Sequence, residues 1–447
     1  MNKLAIIGLD CADPRLVFEE FIDDLPTINR LVKHSTYGDM ISTIPPITVP
    51  AWMCMLTGKD PGELGIYGFR NRADYSYERL KFANSRMLSA PGVWTKLGQR
   101  GYRSIMLGIP MTYPPSPLNG HMVTGFLTPN TNAQYTYPGS LKSEIEAWVS
   151  DYMVDVPFRT DDKDELLKNI YRMTEKRFQV ARHLVAEKQW DFFMMVEMGP
   201  DRIHHALWAP HDKTHPKHDP QSPYKNAIHD YYVALDRHIA GLIEQLPAET
   251  TIVIISDHGI QPMQGGICVN EWLIKKGYLS LTEYPSTPVR VEKLIQAGKV
   301  NWKRTKAWGI GGYYGRIFLN IKGREPAGTI RPRKVNVFRD KLIEELSAIP
   351  DEHGHSIGTV VYKPADVYKT VNGIPPDLIT YFGNLSWRSL GSVGSGKIWA
   401  HENDIGPDDA NHHPHGMWIW GGANKYPMKK DISIYNVSPK ILSHFGI

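Results

Sequence analysis

The run "TIVII" at Thr251–Ile255 has no polar alternation and ends directly in "SDHG". A strand with one face in water reads polar at every second residue. A run that is apolar throughout has to be covered on both faces. Such strands belong to parallel sheets layered between helices, and this requirement constrains the fold more than any other feature of the chain. Similar runs recur at Leu4–Leu9, Ser104–Gly108, Phe192–Glu197, Leu378–Phe382 and Met417–Trp420. Between them the apolar spacing turns helical. Leu235, Ile239, Leu242, Ile243 and Leu246 share one helix face before the Thr251 run, and Val93, Trp94 and Leu97 do so before Ser104. Alternation of this kind is the βαβ signature, so the expected fold class is α/β, with a mainly parallel central sheet flanked by helices.

The chain of 447 residues is long for one simple domain. Two stretches break the rhythm. Residues 110–160 are rich in Pro, Asn, Thr and Tyr. Residues 276–370 carry many Lys and Arg, several aromatics and the Gly-rich tract "WGIGGYYGR". Both read as insertions on the sheet's carboxyl edge. The expected layout is a catalytic core over 1–275, an inserted cap over 276–370 and a C-terminal part of the core over 371–447. The formal net charge is +4 and dispersed, with no basic stripe for duplex nucleic acid. Cys11, Cys54 and Cys268 have neither paired nor zinc-like spacing, which points to a reducing cytoplasm. The opening apolar segment is too short for a signal-peptide core, and no run of about 20 apolar residues predicts a membrane span. The sequence leaves the oligomeric state open.

Strand after strand ends in a potential metal ligand. "AIIGLD" ends at Asp10; "FFMMVEMGPDRIHH" places Asp201 and His205 beyond a strand; "TIVIISDH" ends at Asp257 and His258; "ANHHPHG" sets His412, His413 and His415 before the last strand. In open α/β sheets ligands bind at the carboxyl edge. Taken alone, each Asp or His reads as a cap or a satisfied polar group; together they read as a metal centre. Asp201 and His205 are four apart, which puts them on one face of a helix. Carboxylates with imidazoles suit two divalent ions, Zn²⁺ first, with Mn²⁺ or Fe as alternatives. Such a pair serves phosphoryl chemistry. By contrast, His211, His215 and His218 read as a solvated loop. The tract "GGYYG" lacks the features of a phosphate loop and reads as a turn. The basic run Val300–Lys306 reads as a solvated face, and Trp302, Trp308, Tyr313 and Tyr314 as cap core.

A nucleophile is offered by "TIPPITVPAWMCMLTG". Pro46 and Pro50 stiffen the chain around Thr48, and the residues after it read as a helix closing at Gly58. Thr48 would lie at the helix N-terminus, a place suited to an anion. It reads equally as a plain N-cap.

The segments "GLD", "PPITVPAWMCMLTGKDPGELGIYGF", "DRIHHALW", "SDHG" and "ANHHPHG" together resemble the alkaline phosphatase superfamily, most closely its type I phosphodiesterase/nucleotide pyrophosphatase branch. "IYNVSPKIL" is similar to the start of that branch's C-terminal helix. The resemblance implies an alkaline-phosphatase-like sandwich. It assigns Asp201, His205 and His412 to one metal and Asp10, Asp257 and His258 to the other, with Thr48 between them as nucleophile and metal-bridging oxygen. The Pro414 and Gly416 spacing matches the family's and selects His412 among its neighbours. Two in-line steps are implied: Thr48 displaces the leaving group to form a phosphothreonine, and water then hydrolyses it. Departures exist. The position of the family's phosphate-binding Asn is Phe69 here, and Asn71, with Arg70 and Arg72 beside it, is the candidate replacement. The family's aromatic pair for a nucleobase is not placed. No Cys-x-Pro motif of a sulfatase occurs. The expected substrate is a small phosphate ester, diester or pyrophosphate before monoester. The alternatives are a phosphomonoesterase, phosphonate hydrolase or phosphomutase on the same scaffold, or a catalytically silent metal-binding protein.

Overall fold

Leu4–Leu9 (β1) is buried along its whole length, because strands lie on both its edges and the sheet's faces are covered. The computed structural model describes residues 3–421 and 426–447. In chain order the other strands of the central sheet are Ser35–Ile41 (β2), Ser104–Ile109 (β3), Gly120–Thr124 (β4), Thr136–Tyr137 (β5), Phe192–Glu197 (β6), Thr251–Ile255 (β7), His415–Gly421 (β8), Met428–Lys429 (β9) and Ile432–Ser433 (β10). Their order is β9-β2-β8-β7-β1-β6-β3-β4-β5, with β10 also on β2. The run from β7 to β4 is parallel, and β8 is antiparallel to both its neighbours. Leu4 is in register with both Phe192 and Thr251. The residues that follow β1, β6 and β7 therefore emerge side by side at one edge, as the apolar runs require.

Helices Lys163–Glu187, Gly199–His211 and Ala227–Ile243 pack against one another in the main core. Helix Thr48–Thr57 lies against β1, and all ten of its residues are buried. Its seat is set by Gly8: a Cβ there would stand 2.6 Å from the Trp52 ring. Trp52 is fully buried, and removing such an indole costs about 3–5 kcal/mol. Gly58 ends the helix at φ 72°, a left-handed conformation that glycine adopts without the Cβ penalty. No helix among the described residues is long and apolar enough to cross a membrane.

Three sequence expectations change. The run at Leu378 forms Leu378–Tyr381, but in a separate antiparallel sheet between Gly315–Leu319 and Val360–Tyr362. A short apolar run shows that a strand is buried, not which sheet receives it. This sheet belongs to a second hydrophobic core drawn from Ile267 to Val393, wider than the 276–370 stretch marked by composition. The flanking strands Gly265–Cys268 and Trp387–Leu390 pair with each other and so fall with it. The 110–160 stretch is not only loop: it supplies β4 and β5, which extend the central sheet.

Candidate active site

The carboxyl ends of β1, β6 and β7 converge on one point. Asp10 follows β1, and the chain then reverses at Cys11, whose φ is 65°. That strain costs on the order of 1 kcal/mol. The Cys11 amide donates to Asp257 Oδ1 at 3.2 Å, so the turn also ties the ends of β1 and β7 together. Ser256 completes the tie: its hydroxyl donates to the Ala12 carbonyl at 2.7 Å and accepts from the Met417 amide at 2.8 Å. Trp52 Nε1 donates to Asp10 Oδ2 at 2.7 Å, which locks this carboxylate to the Thr48 helix.

Beyond β6, helix Gly199–His211 sets Asp201 and His205 on one face, with Asp201 Oδ1 3.4 Å from His205 Nε2. His412 arrives by strand pairing. Gly259–Pro262 pairs antiparallel with Ala410–His413, with Ile260 opposite His412. Side chains alternate along that strand, so His412 turns inward. It stacks on His258, ring centres 3.8 Å apart, and its Nε2 lies 3.2 Å from His205 Nε2. His413 and His415 turn away; His415 Nδ1 meets Asp39 at 3.1 Å.

Each of the three imidazoles is oriented through its Nδ1: His412 to the Pro46 carbonyl at 2.7 Å, His258 to the Gly259 carbonyl at 3.1 Å, and His205 to Asp408 Oδ1 at 2.8 Å. Donation from Nδ1 leaves each Nε2 to face the centre, the usual preparation of a histidine ligand. Two groups result, Asp201 with His205 and His412, and Asp10 with Asp257 and His258. Within each, the candidate ligand atoms lie within 4.8 Å of one another.

The electrostatics fit divalent cations. Asp10 Oδ1 and Asp257 Oδ2 are buried with no hydrogen-bond partner among the described residues. Burial pushes both carboxyls well above their ordinary range; Asp201 adds to this for Asp10, and Asp10 for Asp257. An uncompensated buried carboxylate costs several kcal/mol, so such a pair holds either protons or a cation. In the other group burial opposes charge, yet Asp408 and Asp201 raise His205 to about 9. Asp201 is held well below its ordinary value against its burial, by His205 and Arg202. Burial lowers His258 to about 4 and pushes His412 well down, so both are neutral imidazoles at neutral pH. Oxygen and imidazole donors in these numbers suit zinc or a similar transition ion.

Thr48 lies beside the group of Asp10, Asp257 and His258. Ile47, not Thr48, occupies the N-cap, so the threonine hydroxyl is not a cap. Its Oγ1 is 3.4 Å from His258 Nε2. As the first residue of its helix, Thr48 also presents an amide with no partner inside the helix. Thr48, Asp201 and His412 open onto a cavity of about 720 Å³.

Asn71 does not reach this cavity. Its Oδ1 accepts from the Tyr67 amide at 2.8 Å and its Nδ2 donates to the Gly68 carbonyl at 2.9 Å, so its polar atoms close their own loop. The expected substrate contact from Asn71 is therefore replaced. The cavity walls hold arginines instead, among them Arg70, Arg159, Arg202 and Arg388. Tyr313 and Tyr314 line the cavity rather than only filling the cap, and Tyr313 stacks on His412 at 4.3 Å. Trp302 and Trp308 stay in the second lobe, where Trp302 stacks on Tyr77. His215 is buried and His218 half-buried, and they hydrogen-bond the carbonyls of Asp409 and Ala209. Asp408, missed in the sequence, carries His205, Arg159 and Arg388 at once. Its place four residues before His412 in "DDANHH" was the available signal.

Structures similar to this one include the human ectonucleotide pyrophosphatase/phosphodiesterase 5, with a TM-score of 0.56 and 15% identity over 100% of this chain and 95% of that one. An inactive variant of the murine ectonucleotide pyrophosphatase/phosphodiesterase 5, in complex with AMP, gives a TM-score of 0.55 at 13% identity, over 100% and 96%. No curated protein sequence matches the chain. The profile of the type I phosphodiesterase / nucleotide pyrophosphatase family matches residues 4–416. With that match spanning most of the chain and the same fold in the solved structures, the protein belongs to the type I phosphodiesterase/nucleotide pyrophosphatase family, whose members hydrolyse phosphate esters.

Proposed function

We propose that this chain hydrolyses a phosphodiester or a nucleotide pyrophosphate, with Thr48 as nucleophile. The observation that supports it is the convergence of two buried carboxylate–imidazole groups at one sheet edge, with the Thr48 hydroxyl 3.4 Å from the His258 imidazole. Asp201, His205 and His412 would hold one divalent ion, and Asp10, Asp257 and His258 the other, with zinc the best match to the donors. When bound, such ions lower the pKa of a hydroxyl and neutralise charge building on phosphoryl oxygens. Thr48 Oγ1 gives up its proton to solvent and attacks phosphorus. The bond to the leaving group breaks, and a phosphothreonine remains. The unpartnered amide at the helix start favours the anion being formed. Water then attacks phosphorus, the bond to Thr48 Oγ1 breaks, that oxygen regains a proton, and the phosphate product leaves. The AMP held by the murine neighbour supports a nucleotide as part of the substrate.

Diesters are favoured by how the arginines near the ligands are used. A monoester brings an extra charge on the transferred group and needs a free cation there. Arg202 is forked onto Asp155 at 2.7 and 2.8 Å and also meets Asp201. Arg159 and Arg388 both bind Asp408 Oδ2, at 2.9 and 2.8 Å. Each of the three is thus already tied to a carboxylate, Arg159 and Arg388 to the same one. Bis-p-nitrophenyl phosphate or a nucleotide pyrophosphate should therefore exceed p-nitrophenyl phosphate in kcat/KM on metal-loaded enzyme. The reverse ranking would make the protein a phosphomonoesterase.

The strand register gives a second expectation. His412→Ala should lose one of the two ions and turnover with it, while His413→Ala and His415→Ala retain both, as read by metal content and activity. Loss of metal from His413→Ala instead would place the ligand one residue further on.

A further inference from the structure

We infer that the cavity contains a second anion subsite, formed by Arg70, Arg290 and Arg316, that takes a phosphate group on the substrate apart from the ester being cleaved. The inference rests on the phosphodiesterase reading above. All three arginines line the same cavity as Thr48, Asp201 and His412. None of them touches Thr48 or a candidate metal ligand, so they are not part of the reacting centre.

These arginines differ from the other three in the cavity, each of which is bound to a carboxylate. The Arg316 guanidinium donates to the carbonyls of Arg70 at 2.8 Å and Gly311 at 3.1 Å, and among the described residues no carboxylate pairs with it. Arg70 has neither hydrogen bond nor ion pair on its guanidinium among the described residues; it lies over the Phe82 ring at 5.0 Å. Arg290 alone has a counter-charge, Glu292 at 2.5 Å. Asp404 also lines the cavity, but its carboxylate accepts from the Gly391 amide and the Ser392 hydroxyl and pairs with no arginine among the described residues.

The three come from separate segments: the Arg70–Arg72 hairpin strand, the short strand Val289–Arg290 and the strand Gly315–Leu319. Nothing local in the chain forces them together. They sense one another: burial lowers the Arg70 pKa, Arg290 and Arg316 lower it further, and Glu292 opposes them only in part. Gathering like charges against a partly desolvated wall is unfavourable unless an anion offsets it. A guanidinium matches phosphate with two parallel N–H donors, and Arg316 and Arg290 are already held in place by carbonyls and by Glu292. Three guanidiniums with one paired carboxylate leave an excess that a phosphate monoester, carrying about −1.5 to −2 at neutral pH, balances better than a single carboxylate.

A matched pair of chromogenic diesters tests this: thymidine 5′-(p-nitrophenyl phosphate) with and without a 3′-phosphate. The native enzyme should prefer the 3′-phosphorylated ester by about tenfold or more in kcat/KM, chiefly through KM. The preference should fall toward unity in Arg290→Gln and Arg316→Gln, and persist in Lys303→Gln, which alters an exposed charge outside the cavity. Cleavage of both esters by the native enzyme without preference would overturn the subsite and leave the diesterase reading standing. An equal loss of preference in Lys303→Gln would overturn it as well, because general surface charge would then be the cause. No turnover of either ester, or of bis-p-nitrophenyl phosphate, would overturn both readings together.

Discussion

Thr48→Ala is expected to fold, to bind metal, and to lose kcat by a factor on the order of 10³ or more. The fold should survive because the side chain has no structural duty. Ile47 is the N-cap, and the threonine hydroxyl has one polar neighbour in reach, His258 Nε2 at 3.4 Å. The helix is anchored elsewhere, by Trp52 over Gly8 and by Trp52 Nε1 on Asp10. Loss of the methyl and hydroxyl should cost about 1 kcal/mol of stability, visible as a small fall in Tm. Activity is different, because the alcohol is the atom that bonds to phosphorus. Each tenfold loss is about 1.4 kcal/mol of barrier, and removing a nucleophile removes the covalent route altogether. Thr48→Ser should recover part of the rate, since it restores the hydroxyl. Single-turnover labelling should trap phosphate on the native chain and not on the alanine variant. Near-native turnover in a folded Thr48→Ala would mean that water attacks the ester directly.

What the sequence revealed about this site follows from the sheet. Asp10, Asp257 and His258 each follow an apolar run that could only be a buried parallel strand, so their common edge could be read before any coordinates. Asp201 and His205 were readable because helical spacing fixes an i, i+4 pair on one face. The features that were not legible depend on contacts between distant segments. Asp408 matters because it reaches His205 across 203 positions of chain. The six cavity arginines are scattered singly, so no local charge run announced them; the visible basic run, with Lys303, Arg304 and Lys306, proved to be exposed. Asn71 misled for the opposite reason. A polar residue near a nucleophile invites a substrate role, but the Tyr67 amide and the Gly68 carbonyl use its amide group first. The Leu378 strand failed as a central strand because burial constrains periodicity but not partner.

Two divalent ions per chain are the remaining large expectation, and removing them should abolish turnover while also loosening the fold. Asp10, Asp201 and Asp257 are all buried within the same centre, and Asp10 and Asp257 each have an oxygen with no hydrogen-bond partner among the described residues. Without cations these carboxyls must take up protons or repel one another, and burial already pushes Asp10 and Asp257 toward the protonated form. Divalent ions reverse that balance, so binding should release protons and become tighter as pH rises through the range where the carboxyls ionise. The sign follows from the raised carboxyl pKa values: the protonated, metal-free form is favoured at low pH and the ionised, metal-loaded form above it. Protein purified without chelator should approach two transition-metal ions by elemental analysis. EDTA should lower activity by at least about 100-fold, and Zn²⁺ or Mn²⁺ should restore it. Tm should fall on chelation, because a ligand present at about 100 times its Kd contributes about 2.7 kcal/mol to the folded state. Metal content near zero with activity indifferent to EDTA would show that the two carboxylate–imidazole groups serve structure alone, and that phosphoryl transfer here runs without a Lewis acid.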